Sequence, residues 1–306
     1  MQLKKFILIV KCTLLINHCC AGFGLDTTAL SCKILRKNCW RIMENNHDSW
    51  ASGNQYEEFM GRWSNLVSQK FLSWLAVPFN SIWLDVGCGT GSLTKLILEK
   101  YQPKKVISID SSQEFITHCK QSIIYPNVTF QTGTAEKLEI ESNSIDAVVS
   151  GIMLNFVPKP EIVISEMKRV TKPGGLIGIF LWDYSKGMEM LRYFWDAAVE
   201  LDIRAKSYDE GIRFPLCREG ELESLLKASG LKEVLAVPVE EKIKFNNFDD
   251  YWLPFLGNVG PAPTYTMNLE KRNRQKLENR LREILPIEQD GSISLMIKAW
   301  AVKGTT

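Results

Sequence analysis

Between residues 79 and 183 the apolar positions fall into short, nearly uninterrupted runs, and the stretches between them carry three- and four-residue spacing. Ser81–Leu84, Val106–Asp110, a run opening at Val128, Ser144–Leu154 and Leu176–Trp182 read as buried strands. Ser92–Lys100 and Glu161–Val170 read as helices, the second closed by Lys172-Pro173-Gly174-Gly175, where proline and paired glycine end a helix and begin a turn. Strands alternating with helices predict an α/β fold with a parallel sheet. Upstream, Tyr56, Phe59, Trp63, Leu66, Val67, Phe71, Trp74 and Leu75 recur at helical spacing and predict one or two amphipathic helices. Downstream, helices are expected over Gly187–Lys206, Glu219–Ser229 and Leu269–Leu285. Strands are expected over Leu231–Phe245 and Ser292–Val302. Phe248–Met267 is an aromatic segment running into a Gly/Pro loop.

The junction between the first strand and its helix carries the chemistry. Leu84-Asp85-Val86-Gly87-Cys88-Gly89-Thr90-Gly91-Ser92-Leu93-Thr94 places an acid at the strand end and three glycines at alternate positions before a helix. This is a ligand-binding loop at the carboxyl end of a parallel strand. A dinucleotide loop needs Gly-x-Gly-x-x-Gly; here the third glycine comes one residue early and Ser92 takes its place. Asp85 adds a negative charge, awkward for a pyrophosphate and suited to a cation.

The string resembles the first motif of the class I S-adenosylmethionine-dependent methyltransferases. That resemblance implies a cofactor with a sulfonium and an ammonium, held by Asp85, Gly87, Cys88, Gly89 and Gly91. Asp110 lies 19 residues after Gly91, near the spacing for a carboxylate on the ribose hydroxyls, with Ser111 beside it. Ser111 and Glu114 also form a candidate capping box for the helix that follows. Ala135 and Glu136 fall where the family places a group near the adenine amine. The segment Glu166–Ile179 is similar to the helix-turn-strand of small-molecule methyltransferases, the group that includes the ubiquinone/menaquinone C-methyltransferases. The implied fold is α/β, a Rossmann-like seven-stranded mostly parallel sheet with an antiparallel last strand and helices on both faces. The fourth strand ends without an Asp/Asn-Pro-Pro-aromatic tetrapeptide or a Pro-Cys pair, which argues against nucleobase methylation. The implied acceptor is a small molecule; carbon, nitrogen and oxygen nucleophiles all remain open. Two other readings stand beside this one: an NAD-dependent oxidoreductase, and a non-catalytic relative that kept the cofactor site.

Composition narrows the class further. The chain has 306 residues, 45% hydrophobic and 24% charged, ordinary for a soluble enzyme. The formal net charge of +2 hides an asymmetry: residues 1–42 carry seven Lys/Arg and one Asp, leaving 30 basic and 34 acidic residues beyond. A mildly acidic body argues against a nucleic-acid partner. The basic, then apolar, then small-residue start imitates a signal peptide, but Lys11 interrupts an apolar run too short to span a bilayer, so no stable membrane insertion is expected. Residues 1–42 read as a leader, disordered, untranslated or a targeting extension, ahead of a domain at 43–306. Within it, 54–78 is expected as a helical cover, 79–183 as the cofactor core and 184–306 as the substrate side. Five of eight cysteines sit in the leader; Cys88, Cys119 and Cys217 are scattered through the body, form no disulfide framework and fit a cytoplasmic location, export being the alternative. No metal-ligand cluster is visible, and no metal is expected.

In the helical arm, Arg62 is the candidate to pair the cofactor's methionine carboxylate, as basic residues there do in the resembled family. For a general base, histidines are scarce: His118 belongs to the helix after the second strand. Asp183, Tyr184 and Asp249 are the candidates. Tyr251, Trp252 and Phe255 either line a pocket or pack on the sheet, with Asp249 or Asp250 facing the pocket in the first case. Oligomeric state is not legible.

Overall fold

The computed structural model describes residues 57–257 and 259–306. The leader expected at 1–42, and Tyr56 with the start of the helical arm, lie outside the described residues. A π-helical turn at Glu57–Gly61 runs into α1 (Arg62–Leu75). Then follow β1 (Ile82–Val86), α2 (Ser92–Lys100), β2 (Lys105–Asp110), α3 (Gln113–Ser122), β3 (Val128–Thr132) and β4 (Ile145–Gly151). A 3-10 turn at Met153–Phe156 leads to α4 (Pro160–Val170) and β5 (Thr171–Trp182). Beyond are α5 (Glu189–Leu201), α6 (Glu210–Arg213), α7 (Glu221–Ala228), β6 (Lys232–Phe245), α8 (Phe248–Trp252), α9 (Pro261–Asn268), α10 (Lys271–Ile284) and β7 (Ile293–Thr305).

The seven strands form one sheet in the order β3-β2-β1-β4-β5-β7-β6. β1 to β5 pair in parallel, and β7 lies antiparallel between β5 and β6. This is the expected seven-stranded sheet with an antiparallel last strand. Successive strand residues feed opposite faces, as the pleat requires. Trp83, Val149, Phe180 and Trp182 pack with α1, α2 and α5 on one side. Leu84, Val148, Ile179 and Leu181 pack with α4 and α7 on the other. Both faces are therefore covered, which is why the strand sequences read as continuous apolar runs.

Three local expectations are corrected. The Lys172–Gly175 segment does not separate helix from strand; β5 begins at Thr171, and the four residues are a bulge where the pairing jumps from Ile145↔Thr171 to Ala147↔Leu176. The cap of α3 is Ser112, whose side chain accepts the Phe115 N–H, and not Ser111. The expected Gly/Pro loop contains α9, with proline at its first position, where the missing N–H costs nothing. Among the described residues no helix is long and apolar enough to cross a membrane.

Candidate functional site

The loops at the carboxyl ends of β1, β2, β3 and β4 meet over a cavity of about 490 Å³, flanked by α1. Its centre lies where the strand order turns from β1 outward in both directions, the place where open α/β sheets bind ligands. Gly87, Gly89 and Gly91 have φ of 75°, 54° and 85°, which only glycine adopts without strain. A Cβ on Gly89 would meet nothing within 4 Å, so this backbone presents an open face. At Gly87 the Met153 side chain lies where a Cβ would stand.

Two carboxylates hold the loop differently. Asp110 accepts the Gly89 N–H at 2.8 Å on Oδ2 and the Ser112 N–H at 2.8 Å on Oδ1, tying the glycine loop to the β2–α3 turn. Asp85 is 1% exposed. Its Oδ2 accepts the Thr94 hydroxyl at 2.6 Å, and Thr94 in turn sits 2.7 Å from the Ser108 hydroxyl. Its Oδ1 is buried and has no partner. Burial, helped by the Asp110 charge and opposed by Thr94, pushes the Asp85 carboxyl up to about 7. A buried acceptor without a donor, on a residue that lines a cavity, calls for a cationic or hydrogen-bonding ligand.

The loop after β3 brings Ala135 and Glu136 to the wall. That loop is braced from below. Glu166 accepts the Leu138 N–H at 2.9 Å, and Arg169 donates to the carbonyls of Leu138 and Ile140 while pairing with Glu166 at 2.8 Å. Another part of the lining is apolar: Ile152, Met153, Phe156, Val157 and Phe180, with Ser64 and Ser68 from α1. Ile152 holds φ 68°, a left-handed conformation costly for a β-branched residue, while its N–H bonds the Phe180 carbonyl at 2.8 Å.

Of the residues singled out in the sequence, Asp85, Gly87, Cys88, Gly89, Asp110, Ser111, Ala135 and Glu136 line this cavity. Gly91 lies just behind it, packed against Ile123 and Cys119 as the cap residue of α2. Arg62 does not reach the cavity. Its Nη1 pairs with Asp250 Oδ1 at 2.8 Å, and its guanidinium lies 4.2 Å from the Trp63 ring centroid. The three catalytic candidates also lie elsewhere. Asp183 is consumed by its own turn, accepting from the Ser185 hydroxyl at 2.6 Å and the Lys186 N–H at 3.0 Å, with Lys298 at 3.4 Å. Tyr184 is buried against Phe214. Asp249 is exposed and 3.4 Å from Arg282. Tyr251, Trp252 and Phe255 are buried in an aromatic cluster of the core, and Asp250 braces Arg62 instead of facing a pocket.

The sequence reading missed this apolar part of the lining. Ser64 and Ser68 carried a signal, two small polar residues one turn apart on the otherwise apolar face of α1. Ile152, Met153 and Phe156 carried none, because their apolar run merges with β4. Among the described residues no group of three or more His, Cys, Asp or Glu is arranged to hold a metal.

Known proteins give this geometry a context. A family model described as a methyltransferase domain matches residues 84–179. A demethylmenaquinone methyltransferase of Geobacillus stearothermophilus is 32% identical over 171 residues, 51% of this chain and 72% of that protein. A malonyl-[acyl-carrier protein] O-methyltransferase of Halalkalibacterium halodurans is 30% identical over 98 residues, 31% of this chain and only 36% of that protein. In fold, the chain is similar to a candidate methyltransferase from an antibiotic biosynthesis pathway of Anabaena variabilis, with a TM-score of 0.57 and 18% identity over 78% of this chain and 96% of the other.

Proposed function

The chain belongs to the class I S-adenosylmethionine-dependent methyltransferases, and from that premise we propose that its cavity binds S-adenosylmethionine and passes the methyl group to a small, largely apolar acceptor. The observation that carries this reading is the unpartnered Oδ1 of Asp85 beside an open glycine backbone. The residues fit the cofactor along its length. Asp85 and the backbone of Gly87 to Gly89 take the cationic methionine end, Asp110 and Ser111 the ribose, and Ala135 with Glu136 the adenine edge. Asp110 keeps spare lone pairs for the ribose hydroxyls after accepting its two backbone N–H groups. The proposed division keeps 54–78 as the cover, 79–183 as the cofactor core and 184–306 as the acceptor side of a cytoplasmic enzyme.

When bound, the cofactor supplies a methyl group activated by the adjacent positive sulfur. This chain's residues then have to align the acceptor and exclude water. Ile152, Met153, Phe156 and Phe180 form the apolar wall for that task. Among the described residues lining the cavity, the titratable ones are Asp85, Cys88, Asp110 and Glu136, all on the cofactor side. The reading therefore assigns no side chain as general base at the acceptor end. It favours an acceptor that reaches the methyl already nucleophilic. The two relatives are named for different acceptors, demethylmenaquinone and a malonyl-[acyl-carrier protein], so neither acceptor transfers to this chain by similarity alone.

The test is calorimetric titration of the full chain with S-adenosylmethionine, S-adenosylhomocysteine and NAD. Micromolar binding of the first two without NAD is expected. Binding of NAD alone, or of none, overturns the reading.

A further inference from the structure

The sequence scatters Cys88 and Cys119 31 positions apart, yet the fold brings both thiols to one atom. Cys119 Sγ donates to the Gly89 carbonyl at 3.3 Å, and Cys88 Sγ lies 4.0 Å from the same oxygen. Cys119 Sγ also stands 2.9 Å from the Cβ position of Gly91, so the sulfur is packed directly against the glycine loop. Both cysteines are free. Cys88 lines the cavity and is 7% exposed, whereas Cys119 is sealed beneath it at 0%.

We propose that Cys88 and Cys119 form an oxidisable dithiol site that links beneath Gly89 and lowers affinity for the cofactor. This rests on the reading of the cavity as the S-adenosylmethionine site. The oxidant is a small hydroperoxide able to enter the cavity. The Cys88 sulfur takes one peroxide oxygen to give a sulfenic acid and releases water. The Cys119 sulfur then displaces that oxygen as a second water, forming the S–S bond. Two thiols lose two hydrogens, and one hydrogen peroxide becomes two waters. Linking the sulfurs removes the thiol proton that Cys119 donates to the Gly89 carbonyl. It also draws the Cys88 backbone toward α3, in the loop segment whose Gly89 N–H Asp110 holds from the other side.

The environment sets the rate. The Cys119 contact, burial and the nearby Asp85 carboxylate all raise the Cys88 thiol well above its ordinary range, so the pair stays reduced under mild conditions and reacts slowly. A cofactor filling the cavity covers Cys88, so occupancy protects the pair.

The experiment treats the full chain with hydrogen peroxide, with and without S-adenosylhomocysteine, and maps disulfides by peptide mass spectrometry. Cofactor affinity is measured by calorimetry before oxidation, after it, and after dithiothreitol. A Cys88–Cys119 linked peptide is expected, suppressed by S-adenosylhomocysteine, with at least about tenfold weaker binding that dithiothreitol restores. Cys119→Ser keeps a donor to Gly89 and should hold its affinity under the same oxidant. Failure to find the linked peptide overturns the proposal, as does a linked protein that binds as tightly as the reduced one, or an equal loss in Cys119→Ser. A reduced wild-type chain that binds no cofactor at all, but still links these cysteines, overturns the cofactor reading and with it only the effect on affinity.

Discussion

Asp110 holds the backbone N–H of Gly89 at 2.8 Å, so a carboxylate at the tip of β2 fixes the conformation of the glycine loop after β1. Its other oxygen fixes the turn into α3 through Ser112. The residue therefore serves both the loop's shape and, in the proposed function, the ribose. Asp110→Ala should weaken S-adenosylmethionine binding about 10- to 100-fold, or roughly 1.4–2.7 kcal/mol. It should also lower stability by about 1–3 kcal/mol through the orphaned N–H groups. Calorimetry and chemical denaturation separate the two effects; unchanged affinity with lowered stability would leave Asp110 a purely structural clamp.

Gly89 and Gly91 predict opposite outcomes for the same substitution. Both have positive φ, but a Cβ on Gly89 enters open space, while one on Gly91 meets Ile123 Cδ1 at 2.5 Å and Cys119 Sγ at 2.9 Å. Gly91→Ala should destabilise the fold by about 2–4 kcal/mol, from overpacking added to backbone strain. Gly89→Ala should cost about 1–2 kcal/mol of strain alone and, in the proposed function, lose cofactor affinity out of proportion, because its methyl would stand in the open space assigned to the cofactor. Thermal melts with and without S-adenosylhomocysteine decide this. Equal melting temperatures for the two variants would contradict the packing difference.

How much of this was legible depends on how local the signal is. The strands β1 to β5 and the glycine loop were readable because runs, glycine spacing and the acids at strand ends are short-range patterns. The pairing of Arg62 was not legible, because its partner, Asp250, is 188 residues away. Nothing near Arg62 in the chain announces that pairing. Asp183 and Tyr184 follow β5, where a catalytic group is plausible by topology. Whether the side chain turns into the cavity is decided by the Ser185–Lys186 turn, a matter of rotamer and hydrogen bonding. The apolar part of the lining includes Ile152, whose left-handed conformation no sequence rule assigns to isoleucine.

The Arg62–Asp250 pair ties α1 to α8, far along the chain, and it is half-shielded. Burial raises the Asp250 carboxyl, but the Asn246 N–H and Arg62 together outweigh it and hold the group below its usual range. With its stacking on Trp63, loss of Arg62 should cost about 1–2 kcal/mol of stability. Because the guanidinium stands outside the cavity, Arg62→Ala should leave cofactor affinity within about threefold of wild type, a shift under 1 kcal/mol. A tenfold loss of affinity in calorimetry, with stability intact, would bring Arg62 back as the partner of the methionine carboxylate.

The buried Asp85 makes both stability and binding depend on pH. Its carboxyl titrates at about 7 in the folded apo chain against an ordinary value of 3.8, chiefly through burial. Between these values the native state retains a proton that the unfolded chain has released. Apo stability should therefore fall as pH rises from about 4 to 7 and flatten above that. Glu210 acts in the same direction: buried against the Trp195 indole N–H, it is pushed up to about 8, which extends the decline to that pH. Binding runs the other way. A ligand ammonium beside Asp85 favours the ionised carboxylate, so binding below pH 7 must expel the proton, and affinity should rise by up to about tenfold per pH unit until pH 7 is reached. Calorimetry at pH 6 in two buffers of different ionisation enthalpy should report close to one proton released per ligand bound. Asp85→Asn should abolish that release, flatten the affinity profile and stabilise the apo protein at pH 8. A wild-type affinity that does not change between pH 5.5 and 7.5 would mean that the Asp85 carboxylate is not the group facing the cation.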